Sequence, residues 1–242
     1  MSIPRLQKLN PCTLSRCPNE INPTVTIIPS SSPLQFDYPT IEITKPNLTA
    51  TGNITYLMSE LQLTRNEINN TGRHTYFQAL YLWDNSTGTY IVANFTTKFS
   101  FTFYFDDVKP GDGIAFFLAQ PPFDIARPIY GPAFGLLRPR QATFSEEDIV
   151  VAVEFDTFYN PFFDPPNYFQ QHVGIDVNSM MSREATPWFC EFRSWPPKVY
   201  NATINYNSSS KRLSVVFMEY QDGVALSVVV LARRMRKVCF AP

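Results

Sequence analysis

Hydrophobic positions along this chain recur with a period of two, not 3.6. Phe99 to Phe105 alternates strictly between aromatic and small or polar residues, as a half-buried strand does. Gly113 to Ala119 is continuously apolar and is expected to be buried on both faces, as is much of Ile149 to Phe158. Val199–Asn207 and Arg212–Tyr220 alternate on either side of a turn at Ser208-Ser209-Ser210, and Gln221-Asp222-Gly223 predicts a second tight turn before a strand over Val224–Ala232. No segment keeps a helical period over three turns, and 21 prolines are spread along the chain. Many short strands with regular turn signals predict an all-β antiparallel sandwich or jelly roll. Residues 1–33, rich in Pro, Ser and Asn, read as an irregular N-terminal arm, and residues 34–242 as a single β-sandwich domain.

Composition narrows the class. The 242 residues are 44% hydrophobic and 15% aromatic, enough for a sizeable core. The net charge of −1 gives no global attraction to nucleic acid or anionic membrane. Arg233 to Lys237 is the one basic run and reads as a solvated turn. No apolar stretch approaches the ~20 residues that span a bilayer, and Met1–Arg5 lacks the apolar centre of a secretion signal. Seven Asn-x-Ser/Thr acceptors, at Asn47, Asn53, Asn69, Asn85, Asn94, Asn201 and Asn207, are more than chance supplies and point to a glycoprotein of the secretory pathway, extracellular or vacuolar. Cys12, Cys17, Cys190 and Cys239 lack metal or redox spacing, so disulfides are expected, in any of three pairings.

The chemistry concentrates between Val153 and Asp176. Strand alternation puts Glu154, Asp156 and Phe158 on one face. Two carboxylates side by side on an apolar strand repel each other and resist burial unless a cation joins them. Asn160 and Asp164 follow as further oxygen donors, and hard oxygen ligands suit Ca²⁺. His172, with Glu154 and the aspartates, forms a mixed nitrogen and oxygen set suited to Mn²⁺. Asp156 and Asp164 can bridge the two ions.

Val151–Phe158 together with His172–Ser179 resembles the metal-binding signature of legume lectins, as does Gly111–Ala119. Leu61–Thr64, Gly72-Arg73 and Leu82–Asp84 fall in that family's order. The resemblance implies a legume-lectin-like jelly roll, Ca²⁺ held by Asp156, the Phe158 carbonyl, Asn160 and Asp164, and Mn²⁺ held by Glu154, Asp156, Asp164 and His172, with Ser182 reaching it through water. It implies a site for the sugars of glycoproteins, built from Asp112 as hydroxyl acceptor, Phe158 as stacking platform and Asn160 as donor, with a cis peptide at Gly111–Asp112. It also implies a plant defence or storage role and a homodimer or higher homo-oligomer.

Three departures from the family bear on sugar binding. Pro132, which has no N–H, stands where a Gly-rich loop donates one, leaving Gly131 or Ala133 to substitute. The family pattern continues past Pro242 through a specificity loop. The Asp164–His172 loop is long and aromatic, with Phe162, Phe163 and Tyr168 free to extend the site or to pack. The proline and the missing specificity loop favour an alternative, a lectin-like defence protein that has lost sugar binding and acts by protein contact; the intact metal set, which mainly serves the sugar site, disfavours it and leaves a sugar-binding lectin as the reading. A jelly-roll glycoside hydrolase needs a second catalytic carboxylate about 5 Å from the first; Phe158 and Tyr159 stand in its place, so no enzyme is expected.

Overall fold

The computed structural model describes residues 35, 37–38, 48–57, 60–65, 67–76, 83–84, 91–103, 111–119, 131–136, 150–164, 171–190, 197–221 and 224–234; for 83–84, 91–92, 221 and 224–234 only the backbone is considered. The N-terminal arm, Cys12, Cys17, Cys239 and Tyr168 lie outside this set. The described residues form strands and turns without a helix. In chain order these are β1 (Leu48–Gly52), β2 (Thr55–Leu57), β3 (Glu60–Gln62), β4 (Gly72–Tyr76), β5 (Trp83–Asp84), β6 (Ile91–Val92), β7 (Phe95–Phe101), β8 (Gly113–Ala119), β9 (Val150–Asp156), β10 (His172–Val177), β11 (Glu184–Pro187), β12 (Val199–Asn207), β13 (Arg212–Gln221) and β14 (Val224–Arg234).

Two four-stranded antiparallel sheets dominate, ordered β11-β10-β9-β8 and β14-β13-β12-β7. Three two-stranded pairs, β1-β4, β2-β3 and β5-β6, complete the described set. The sheets face each other through aromatic rings. Phe155 of β9 meets Phe101 of β7 at 5.2 Å and Phe217 of β13 at 5.0 Å between ring centroids, and Trp188 meets Phe217 edge-on at 4.8 Å. Offset and edge-on pairs at these separations add about 0.5–1.5 kcal/mol each beyond burial.

The period-two pattern predicts which residues point inward. In β7 the burial alternates from Phe95 to Phe101, and in β12 Tyr200, Ala202 and Ile204 are buried. Strand ends shift slightly. β7 starts at Phe95, and β14 runs on to Arg234, so the first two residues of the basic run belong to a strand. β8 is half-buried rather than buried on both faces, because in the described sheet it is the edge strand. β9 is buried throughout. Its Val151, Val153 and Phe155 enter the sandwich core, while Ala152 on the opposite face lies under Ala133, Leu136 and Met180 with Phe163 packed alongside. That second covered face carries Glu154 and Asp156.

Cys190 corrects one expectation. It is a free, buried thiol, with Sγ 3.0 Å from the Tyr200 hydroxyl. It packs in the aromatic core beside Trp188, where a thiol serves as a small hydrophobe. It forms no disulfide, and burial pushes its pKa up to about 12.

Candidate functional site

Antiparallel pairing sets the site. In β10 and β9, His172 lies opposite Asp156 and Gly174 opposite Glu154. On the other side, Gly113 of β8 faces Asp156 and Ala115 faces Glu154. Glu154 thus stands between two small residues, and Asp156 between Gly113 and His172, which makes room for groups from the loops. Gly174 leaves space for both side chains: a Cβ there would come within 1.9 Å of Ser182 Oγ and 2.5 Å of Glu154 Oε1, so those groups would have to shift.

Glu154, Asp156 and His172 are all buried, and one ligand atom from each lies within 4.8 Å of the others. His172 Nε2 is 3.0 Å from Glu154 Oε1. Ser182 Oγ donates to Glu154 Oε1 and lies 3.0 Å from Asp176 Oδ1. Ser182, expected near the metal through water, has its hydroxyl directly on the Glu154 carboxylate.

Asp164 joins through the turn after β9. The Asn160 carbonyl accepts from the N–H groups of Phe163 and Asp164, both at 2.9 Å, and the Asn160 N–H donates to Asp164 Oδ2. The Phe158 N–H donates to Asp156 Oδ1 at 2.6 Å. Asn160 Oδ1 is buried and finds no hydrogen-bond partner among the described residues. A buried carbonyl oxygen left so costs about 1–3 kcal/mol, and a cation at the carboxylates would complete it. The donor set therefore fits a hard divalent ion.

Asp112 arrives from the far side. Its carbonyl accepts from the Thr157 N–H at 2.7 Å and the Thr157 hydroxyl at 2.8 Å, which ties it to the end of β9. The peptide before it, Gly111–Asp112, is cis. A Cβ on Gly111 would touch Phe158 Cβ at 3.0 Å, and one on Gly131 would stand 3.1 Å from Asp112 Oδ2. Gly131 also holds φ at +75°, a region that favours glycine. Gly131 thus stands against Asp112, and Asp112 is tied to Thr157, the residue before Phe158 on the turn that leads to Asn160. Phe158 is 41% exposed and Phe162 84% exposed, whereas Phe163 packs inward.

The electrostatics record crowded carboxylates. Burial, then the charges of Asp164 and Glu154, push Asp156 up to about 9. Burial and the Asp164 charge push Asp112 up to about 6, and burial raises Asp164 to about 6 against the Asn160 N–H and His172.

Two residues of the site carried no assignment from sequence. Asp176 is buried, raised well above the carboxylate range by burial and by Glu154, and its Oδ2 has no partner among the described residues. Trp188 Nε1 donates to the Asp156 carbonyl at 2.9 Å and so links the aromatic core to the site. Parity along β10, which puts Asp176 on the His172 face, is the signal that could have found the first. The contact of Trp188 is long-range and left no local signal.

Comparison with known proteins agrees with this geometry. Residues 33–238 match the legume lectin domain family. The chain is 36% identical over 217 residues to Lectin 10 of Medicago truncatula, covering 84% of this chain and 73% of that protein. It is 39% identical over 211 residues to the mannose/glucose-specific lectin of Centrolobium tomentosum, covering 83% and 82%. Among solved structures, the metal-free form of lectin I-B4 from Griffonia simplicifolia superposes with a TM-score of 0.68 at 33% identity, covering 82% of each chain. A family match over most of the chain, joined to the two facing sheets and the carboxylate–histidine cluster, establishes that this protein belongs to the legume lectin family.

Proposed function

We propose that this chain is a carbohydrate-binding lectin whose sugar site is organised by Ca²⁺ and Mn²⁺. The single observation that carries the reading is Asn160: its Oδ1 is buried and unpartnered among the described residues, while its N–H donates to the Asp164 carboxylate in the loop that also carries Phe158. Asp156, the Phe158 carbonyl, Asn160 and Asp164 would hold Ca²⁺. Glu154, Asp156, Asp164 and His172 would hold Mn²⁺, with Ser182 orienting Glu154. The ions would supply positive charge that keeps the crowded carboxylates ionised and the loop fixed.

The residues of the chain do the recognition. Asp112, ionised above pH about 6, accepts hydrogen bonds from two sugar hydroxyls. The Asn160 side chain turns its oxygen toward the carboxylates and its NH₂ toward the sugar. Phe158 offers an exposed ring to the apolar face of the pyranose. Gly131, beside Asp112, offers the backbone N–H that Pro132 lacks. Holding these groups in place before the ligand arrives lowers the cost of binding.

The relatives support the class: one is named mannose/glucose-specific, and an acidic winged bean lectin, 31% identical, is solved with methyl-α-D-galactose. A secreted or vacuolar location and a homo-oligomeric state accord with the family. A lectin-like protein acting by protein contact alone is disfavoured by the retained cluster of Glu154, Asp156 and His172. A glycan-array screen before and after chelation tests the reading. Binding that chelation abolishes and Ca²⁺ with Mn²⁺ restores is expected; binding unchanged by full metal removal would overturn it.

A further inference from the structure

We propose that the outer face of the β14-β13-β12-β7 sheet carries N-linked glycans, one at Asn201 and one at the corner shared by Asn94 and Asn207. The inference needs passage through the secretory pathway but not the sugar-binding reading.

Three of the seven acceptor triplets fall on this face. β7 turns Phe95, Phe99 and Phe101 into the core, so Asn94, Thr96, Lys98 and Ser100 face outward. β12 turns Tyr200, Ala202, Ile204 and Tyr206 inward, so Asn201, Thr203, Asn205 and Asn207 face outward. Tyr206 pairs with Phe95, which puts Asn207 directly across from Asn94. Asn201 lies further along β12, opposite Ser100. It borders an open hollow of about 360 Å³ lined also by Lys98, Ser100, Thr203 and Met218. This face carries no acidic residue on β7 or β12, and its sheet is not the one that holds β8 and β9, the strands next to Asp112 and Asn160.

The hydrogen bonds leave the linking atom available. Asn94 Oδ1 accepts from the Ser208 N–H at 2.7 Å, and Asn207 Oδ1 accepts from the Ser210 N–H at 2.9 Å. A backbone N–H can only donate, so in both residues the oxygen is the engaged atom and Nδ2 makes no hydrogen bond to a described residue. At Asn201 the engaged atom is again the oxygen, which accepts from the Ser100 hydroxyl. Asn205, which is not in an acceptor triplet, instead uses Nδ2 to donate to Thr96 at 2.7 Å. A sugar on Nδ2 of Asn94, Asn201 or Asn207 therefore keeps every one of these bonds and displaces nothing from the core. Asn94 and Asn207 stand side by side, so one glycan fills their corner.

The reaction transfers an oligosaccharide from a lipid-linked diphosphate. The bond from the anomeric carbon of the first N-acetylglucosamine to the diphosphate oxygen breaks, and a bond to Nδ2 forms. The diphosphate leaves with the electron pair, and the amide gives up one proton. The sheet need not be formed when this happens, so a site within a strand is open to transfer on the extended chain.

The test is peptide mass mapping of the full chain secreted from a eukaryotic host. Treatment with a peptide N-glycosidase in ¹⁸O-water converts each glycosylated Asn to labelled Asp. Label is expected at Asn201 and at Asn94 or Asn207. Recovery of Asn201 unlabelled, or of both corner residues unlabelled, would overturn the proposal. A secreted protein with glycans only at the remaining acceptors gives that same negative result. Retention or loss of sugar binding is scored separately on the same preparation, so the two readings fail independently.

Discussion

Asp156→Asn is the substitution that most directly probes the crowded carboxylates. Asp156 is 1% exposed and its pKa stands at about 9 without a bound ion, against 3.8 as the ordinary value. The sign follows from linkage. A carboxyl raised in the folded state binds a proton that the unfolded state has lost, so stability falls as pH rises from about 4 to about 9. At pH 7 the penalty is set by the roughly 3 pH units above 3.8, at about 1.4 kcal/mol each, or about 4 kcal/mol as an upper bound. Asparagine has nearly the same shape, cannot ionise, and keeps an oxygen for the Phe158 N–H. In chelator at pH 7 the variant should therefore be more stable than the native chain by about 2–4 kcal/mol. At pH 4 the gain should shrink to near zero. With Ca²⁺ and Mn²⁺ each at a thousandfold excess over its Kd, the native chain should gain about 4 kcal/mol per ion, about 8 kcal/mol in all, and the variant less, closing the gap. Urea titrations in chelator and in metal at each pH measure all three quantities. A variant less stable than the native chain in chelator at pH 7, or a gain of equal size at pH 4, would refute the reasoning.

Other substitutions test separate parts of the structure. Gly174→Ala places a methyl against Ser182 and Glu154; it should cost about 1–3 kcal/mol in urea denaturation and weaken metal uptake by calorimetry. Trp188→Phe leaves the buried Asp156 carbonyl without its donor; a loss of about 1–3 kcal/mol is expected, read as a lower Tm. Asn160→Ala should abolish glycan binding in the array with little change in far-ultraviolet circular dichroism, and retained binding would remove Asn160 from the site. Cys190, held at about 12 by burial, should resist alkylation at pH 8 in the folded protein and react after unfolding, as peptide mapping will show.

The strands and the donor set were legible in the sequence because both follow short-range rules. Alternation in Phe95–Phe101 and Val199–Asn207 told inside from outside with no partner known. Glu154, Asp156, Asn160, Asp164 and His172 lie within one hairpin and its loop, so spacing alone suggested an ion. The likeness to legume lectins rested on the same local blocks. Pairing decided the rest. The register that sets Gly174 and Ala115 beside Glu154 makes room for its carboxylate, and no local pattern encodes that register. Asp112 reaches the site through the Thr157 contacts, 45 positions away in the chain. The Cys190 thiol has the same sequence signature whether bridged or free; only the folded structure, which leaves it free and buried against Tyr200, decided. Sequence thus determined which residues are chemically able to act. The sandwich decided which of them meet, because contacts between distant strands depend on register and packing that the chain sets only once it is folded.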